Sequence, residues 1–264
     1  MNIFNNSKVL VTGHTGFKGS WLAAWLNHLG AQVTGLSVDV PTDPSNFVVS
    51  NICGFVEDHR IDVCDAAQVS QVVRKCQPDF VFHLAAQALV RPSYENPLQT
   101  FKTNALGSAN VLDALRQLEK PVVAVMVTSD KAYDNVEWVW GYRETDPLGG
   151  KDPYSASKGM AEIAIRAYVE SYFKHPDSNV SVGIARAGNV IGGGDWAKDR
   201  IVPDCVRAWS GKKAVDIRNP EATRPWQHVL EPLSGYLTLG MELYENGDRH
   251  GNAYNFGPHA SQNH

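Results

Sequence analysis

Near the N-terminus the run Lys8-Val-Leu-Val-Thr12 is apolar and rich in β-branched residues, and it ends at Gly13. A run of this kind reads as a strand buried on both faces, a property of parallel sheets. Gly13, Gly16 and Gly19 follow in Thr12-Gly-His-Thr-Gly-Phe-Lys-Gly19, and Trp21, Leu22, Trp25, Leu26 and Leu29 then recur at helical spacing up to Gly30. A strand that turns through three spaced glycines straight into a helix constrains this chain more than any other feature. The first glycine permits the turn, the second lets a ligand reach the backbone, and the third lets the helix lie close to the strand.

The alternation continues. Strands are expected at 31–38, 60–63, 80–84, 122–128 and 180–186, and helices from Asp65 to Cys76, Leu98 to Leu118 and Pro153 to Phe173. Asp65 suits an N-cap and Pro153 a first helical position. The pattern predicts an α/β fold, a doubly wound parallel sheet of Rossmann type. With 264 residues, one large domain or two small ones fit. Residues 1–186 carry the alternation. Residues 187–264 are richer in Gly, Trp, Arg and Pro, with helices expected at 203–209 and 230–244, and read as a smaller lobe over the open edge of the sheet.

Net charge is −4 without a basic block, which argues against nucleic acid or an anionic membrane as partner. Cys53, Cys64, Cys76 and Cys205 form no CxxC pair, and no signal peptide or long apolar run is present, so a reducing cytoplasm is expected. The nine histidines show no metal-ligand spacing, and no metal is expected.

In strand–loop–helix context the glycines predict a dinucleotide whose pyrophosphate sits on the helix N-terminus. The candidate contacts are Gly13, Thr15, Gly16, Phe17, Lys18 and Gly19, with the side chains of His14 and Lys18 read as facing solvent. The ribose position falls near Ser37, with Asp39 two residues on. No Arg or Lys lies between residues 19 and 59 to meet a 2′-phosphate, which favours NAD over NADP. Asp62, followed by Val63, suits either a bond to the adenine amino group or a turn.

Tyr154 and Lys158 stand four apart in Pro153-Tyr-Ser-Ala-Ser-Lys158 and share one helix face. An ammonium beside a phenol favours phenolate, which lowers the tyrosine pKa and lets it take a proton from a hydroxyl as hydride leaves the carbon. Together with Thr128-Ser-Asp-Lys131, His83-Leu-Ala-Ala86 and Thr103-Asn-Ala-Leu-Gly107, this pair resembles the extended short-chain dehydrogenase/reductase family. The resemblance implies cofactor contacts at Leu84, Ala85, Ala86, Asn104 and Thr128. It also implies a substrate contact at Gln87 and a homodimer through a four-helix bundle of the helices at 98–118 and 153–173.

Within that family, nucleotide-sugar 4,6-dehydratases generally carry Thr-Asp-Glu where this chain has Ser129, Asp130 and Lys131. The Ser-Asp-Lys form, Arg186-Ala-Gly-Asn-Val-Ile-Gly-Gly-Gly-Asp-Trp196 and Arg224-Pro-Trp-Gln-His-Val229 resemble the branch acting on CDP-glucose. The resemblance implies a lyase whose substrate is a nucleoside diphosphate sugar, with Arg200 and Arg224 on the pyrophosphate and Asn189 on a phosphate oxygen. Trp196 and Trp226 suit a pocket wall or ordinary packing. Lys131 can take the C5 proton only as a neutral amine, which needs burial or nearby positive charge; otherwise it stabilises the enolate. A nucleotide-sugar 4-epimerase shares the fold and the Tyr/Lys pair but needs neither Asp130 nor Lys131, and a non-catalytic NAD-binding regulator needs none of the four. Tyr254-Asn-Phe-Gly-Pro258 resembles a strand that the family follows with further chain, so the substrate lobe reads as C-terminally truncated.

Overall fold

The computed structural model describes residues 2–217 and 220–258. The last six residues, to which the expectation of a shortened lobe extends, lie outside this range. The strands are β1 (Lys8–Thr12), β2 (Gln32–Ser37), β3 (Val56–Arg60), β4 (Phe80–His83), β5 (Val122–Val127), β6 (Val180–Ala187), β7 (Val190–Ile191), β8 (Gln227–His228) and β9 (Ala253–Phe256). The helices are α1 (Phe17–His28), α2 (Asn46–Val49), α3 (Ala66–Cys76), α4 (Val90–Glu95), α5 (Pro97–Phe101), α6 (Gly107–Leu115), α7 (Pro153–Tyr168), α8 (Ile201–Ser210) and α9 (Leu230–Glu245). Among the described residues, seven strands form one parallel sheet in the order β3-β2-β1-β4-β5-β6-β9, while β7 and β8 pair separately.

Side chains alternate across each strand and feed two cores. Val9, Val11, Phe80, Phe82, Val123 and Val125 meet Leu22 and Leu26 of α1 and Leu233, Tyr236 and Leu237 of α9. Leu10, Val81, Ala124 and Met126 meet Val69 and Val72 of α3, Leu112 and Leu115 of α6, and Ile165 of α7. Both faces of the sheet are therefore covered, which is why the strands read as continuous apolar runs.

The third strand is Val56–Arg60 rather than 60–63. It lies at the sheet edge, so Glu57 and Arg60 can face water and the apolar signal fades. The expected helix 98–118 divides into α5, a π-helical turn at Lys102–Leu106, and α6, while α7 ends in a π turn at Val169–Phe173. Asp65 caps α3 as expected, accepting the Gln68 N–H at 3.0 Å. Although they come from the C-terminal part, α9 and β9 belong to the sheet layer: β9 pairs with β6, and α9 fills the first core. Among the described residues no helix is long and apolar enough to cross a membrane.

Candidate active site

The strand order reverses at β1, which lies between β2 and β4, so a crevice opens beyond the carboxyl ends of these strands. Gly13 has φ +76°, and a Cβ there would stand 2.7 Å from the Ala85 nitrogen; the loop after β1 thus rests on segment 84–86. A Cβ on Gly19 would stand 2.0 Å from the Gly13 carbonyl oxygen, so α1 starts hard against the loop. Gly16 is the N-cap and offers no side chain to the first-turn N–H groups, which leaves those donors to an anion. Phe17 is half-buried, with its ring reaching segment 192. This cradle, which side chains at 13 and 19 would fill, fits the pyrophosphate of NAD.

His14 is buried, not solvent-facing. Its Nδ1 bonds the Ser37 hydroxyl at 3.0 Å and its Nε2 the Asp58 carboxylate at 2.9 Å. The ring occupies a socket opened by Gly35, where a Cβ would stand 2.4 Å from it. Burial lowers its pKa, with Asp58 opposing. Lys18 also turns inward. Its Nζ donates to the Tyr236 hydroxyl at 3.4 Å, and burial brings its pKa to about 8, with Arg200 adding to the fall and Asp130 opposing it.

Ser37 also accepts the Thr15 N–H at 3.4 Å, while Asp39 is exposed and accepts the Thr15 hydroxyl through its carbonyl at 2.6 Å. The register sets Ser37 beside Arg60, a cation one residue past the 19–59 stretch that lacks Arg and Lys. Asp58 pairs with that guanidinium at 2.7 Å. Asp62 accepts the Cys64 N–H at 2.9 Å in a turn, and the buried Val63 carbonyl accepts from Asn110 at 2.8 Å.

Beneath the crevice, His83 bonds the Thr12 hydroxyl at 2.7 Å and the Ser108 hydroxyl at 2.9 Å. Burial drives its pKa down to about 3, and Lys158 lowers it further. A depressed histidine pKa means that the unfolded chain binds the proton first. His83 therefore costs no stability above about pH 6.5, and stability falls progressively as pH drops from there toward 3. We expect a loss of several kcal/mol over that window, visible as a falling melting temperature and reduced in His83→Gln. An unchanged acid limb in the variant would refute the assignment.

Asp152 accepts the Ser155 N–H at 3.0 Å and fixes the start of α7. Tyr154 and Lys158 are both buried on it. Burial pushes the Tyr154 pKa up to about 12, while a hydrogen bond with Ser129 pulls it down. Lys158 is not among the groups that act on it, so the depression expected from the helical pairing is absent in the protein alone, and the pull from a cation comes from Arg200. Lys158 itself is brought to about 8 by burial and by Lys18, with Glu162 opposing.

Ser129 follows β5, donates to Asp130 at 2.9 Å and accepts the Lys131 N–H at 3.2 Å. Asp130 is half-buried, and a Cβ on Gly188 would stand 3.3 Å from its Oδ2. Lys131 is exposed, which removes the burial on which its role as C5 base was to rest. Asn104, in the π turn, donates to the Ser157 hydroxyl at 2.8 Å and the Gln87 carbonyl at 3.0 Å. It ties the strand-β4 loop to α7, the kind of use to which π turns are often put. Leu84 and Ala85 bond back to Thr12, and Ala86 is half-buried beside them.

The expected substrate residues are less converged. The Gln87 carboxamide is engaged by Leu89 and Thr100. Arg200 pairs with Asp195 at 3.1 Å, yet its charge reaches Lys18 and Tyr154. Asn189 is half-buried beyond Gly188, its carbonyl accepting the Gln227 N–H at 3.2 Å. Arg224 is exposed and donates to the Thr223 carbonyl at 2.6 Å. Trp196 and Trp226 are half-buried. Sequence reasoning missed Tyr236, which stands in the field of Tyr154 and Asp130 and whose pKa burial raises. Its place among the helical apolar positions of α9 gave no sign that its hydroxyl faces the site.

Residues 10–243 match the sequence family described as GDP-mannose 4,6 dehydratase. A CDP-glucose 4,6-dehydratase of Salmonella typhimurium is 48% identical over 260 residues, covering 97% of this chain and 72% of that relative. A UDP-glucose 4-epimerase of Mycoplasma pneumoniae is 25% identical, covering 95% of this chain and 76% of its own. Among solved structures, MoeE5 in complex with UDP-glucose and NAD superposes with a TM-score of 0.77 at 25% identity, covering 95% of this chain and 76% of that one.

Proposed function

The chain belongs to the GDP-mannose 4,6 dehydratase family, and from that premise we propose that it is a lyase using NAD to convert a nucleoside diphosphate glucose, CDP-glucose foremost, into the 4-keto-6-deoxy sugar nucleotide. The observation that carries this reading is the meeting of Tyr154, Ser129 and Asp130 at the carboxyl end of β5. NAD held in the crevice would supply the hydride acceptor for C4 and the hydride donor for C6. Tyr154 takes the C4 hydroxyl proton as phenolate, a form that Ser129 and Lys158 favour. The C5 proton, acidified by the C4 ketone, passes to solvent water as Asp130 gives a proton to the C6 hydroxyl leaving as water, and solvent returns a proton to C5 when hydride reaches C6; an exposed Lys131 suits the second role expected for it, a cation near the enolate oxygen. Gly13, Thr15, Gly16, Phe17, Lys18, Gly19, Ser37, Asp39, Asp62, Val63, Leu84, Ala85, Ala86, Asn104 and Thr128 are the proposed cofactor wall. Gln87, Asn189, Arg200 and Arg224 are the proposed substrate contacts, the last three from the segment between β6 and α9 rather than from a lobe running to the end of the chain, since α9 and β9 belong to the sheet layer.

The test is CDP-glucose deuterated at C4, incubated with NAD and the protein. The expected product has lost water and carries the label at C6. A product of unchanged mass makes the protein an epimerase, and NAD binding without turnover makes it a regulator. A panel of nucleoside diphosphate glucoses fixes the base.

The proposed setting is the cytoplasm, consistent with free thiols at Cys53, Cys64, Cys76 and Cys205. The proposed assembly is a homodimer. Leu98 and Leu106 expose 79% and 58% of their surface, and Met160 and Ile163 of α7 expose 46% and 60%. Two copies meeting through these helices would bury that apolar surface in a four-helix bundle. Ile163→Glu is expected to give a monomer in sedimentation velocity; an unchanged dimer would place the interface elsewhere.

A further inference from the structure

One buried polar network stands behind the groups assigned above, and only Thr128 of it lies in the proposed cofactor wall. Glu162, fully buried and one turn beyond Lys158 on α7, accepts from the Thr128 hydroxyl at 2.7 Å and from Arg186 Nε at 2.7 Å, and Arg186 Nη2 bonds its second oxygen. Arg186, at 1% exposure, ends the apolar run of β6. Its Nη1 donates to the Tyr133 hydroxyl at 2.6 Å and to the Glu144 carbonyl at 3.1 Å, with the guanidinium 4.6 Å from the Tyr133 ring centroid. The Tyr133 hydroxyl in turn donates to the Asn255 Oδ1 of β9 at 2.7 Å.

The placement of these bonds matters more than their number. Thr128 and Tyr133 bracket Ser129, Asp130 and Lys131, so both ends of that short loop are fastened to one ion pair. The carboxylate of the pair lies on the helix that carries Tyr154 and Lys158. The strand that carries the guanidinium leads into Gly188, which lies against Asp130. A buried ion pair contributes little net stability as a rule, because desolvation offsets the attraction. A fully bonded network does hold its members in one geometry.

We infer that the Arg186–Glu162 pair is a clamp that sets Asp130 and Lys131 against Tyr154, with Thr128 and Tyr133 as positioning residues that fit C5–C6 elimination to C4 oxidation. The inference rests on the dehydratase reading. Oxidation draws on Tyr154 and Lys158, which α7 presents by itself, with Ser129 the loop's one contribution. Elimination needs Asp130 in register with them, and the loop reaches that register through Thr128 and Tyr133.

The test uses the full chain with NAD and CDP-glucose in single turnover. Reduced coenzyme is followed by absorbance, and dehydrated product by mass in the same sample. Thr128→Val and Tyr133→Phe remove one hydroxyl each and keep the packing; Thr128→Ser keeps the hydroxyl. In the first two, elimination is expected to slow roughly tenfold to a hundredfold relative to oxidation, so that reduced coenzyme accumulates, while Thr128→Ser, which keeps the hydroxyl, restores the ratio of the two steps. The ratio of the two steps is unaffected by any loss of folded protein. A parallel fall in both steps, or an unmoved ratio in Thr128→Val, overturns the clamp. If the parent protein itself forms no dehydrated product, the dehydratase reading falls and takes the clamp with it.

Discussion

Tyr154→Phe is expected to lower turnover of the nucleotide sugar by about 10³-fold while leaving NAD affinity nearly unchanged. The substitution removes one oxygen from a buried ring and creates no cavity, so the fold should tolerate it. What disappears is the group that receives the C4 hydroxyl proton. Neither neighbour replaces it: Ser129 is a poor base, and Lys158 sits one helical turn away. The pKa of about 12 in the protein alone makes a second expectation. Burial, not Lys158, dominates that value, so the phenol should ionise at a clearly lower pH once NAD adds positive charge to the crevice. Ultraviolet titration with and without NAD reads this directly. A variant with wild-type kcat would remove Tyr154 from the reaction, and a titration unmoved by NAD would leave its activation unexplained.

Gly19→Ala is expected to weaken NAD binding by more than tenfold and to lower stability by about 1–3 kcal/mol. A methyl at 19 would stand 2.0 Å from the Gly13 carbonyl oxygen, which is backbone and cannot swing aside as a side chain could. Relief requires α1 to lift from the loop, and the N–H groups of its first turn move with it. Gly16→Ala is the contrasting case. Its Cβ would stand 3.3 Å from the same oxygen, so the fold should bear it, whereas a pyrophosphate approaching the backbone should not. Calorimetric titration with NAD and thermal melts separate the two: Gly19→Ala should fail in both, and Gly16→Ala in binding alone. A Gly19→Ala protein that melts with the parent would mean that α1 does not pack as described.

Much of the frame was legible because burial leaves a pattern. β5 is apolar end to end, and β1, β4 and β6 are apolar and buried over most of their length, since both sheet faces are covered, while Asp65 and Pro153 mark helix starts by their own chemistry. The edge strand β3 escaped because water on one side lets Glu57 and Arg60 stand in it. The π turns escaped because Lys102–Leu106 has the composition of ordinary helix, and only packing around Asn104 distinguishes it. His14 and Lys18 were misread for a related reason. A polar residue in a loop faces water by default, and nothing local shows that Gly35 leaves a socket for one or that Tyr236 waits for the other.

By itself, then, the sequence determined the parallel sheet, the glycine cradle and the helical pairing of Tyr154 with Lys158, because each depends on spacing within a few residues. Tertiary structure decided what surrounds them. Arg60 comes beside Ser37 only through strand register. Tyr236 reaches Lys18 across 218 residues, and Arg186, Glu162, Thr128 and Tyr133 close one network from three separate segments. Polar groups that meet only when the chain has folded leave no periodic trace, since each one alone is indistinguishable from a solvated side chain. The low dielectric in which they meet is itself a product of the fold, and it sets the proton affinities of Tyr154, Lys158, Lys18 and His83.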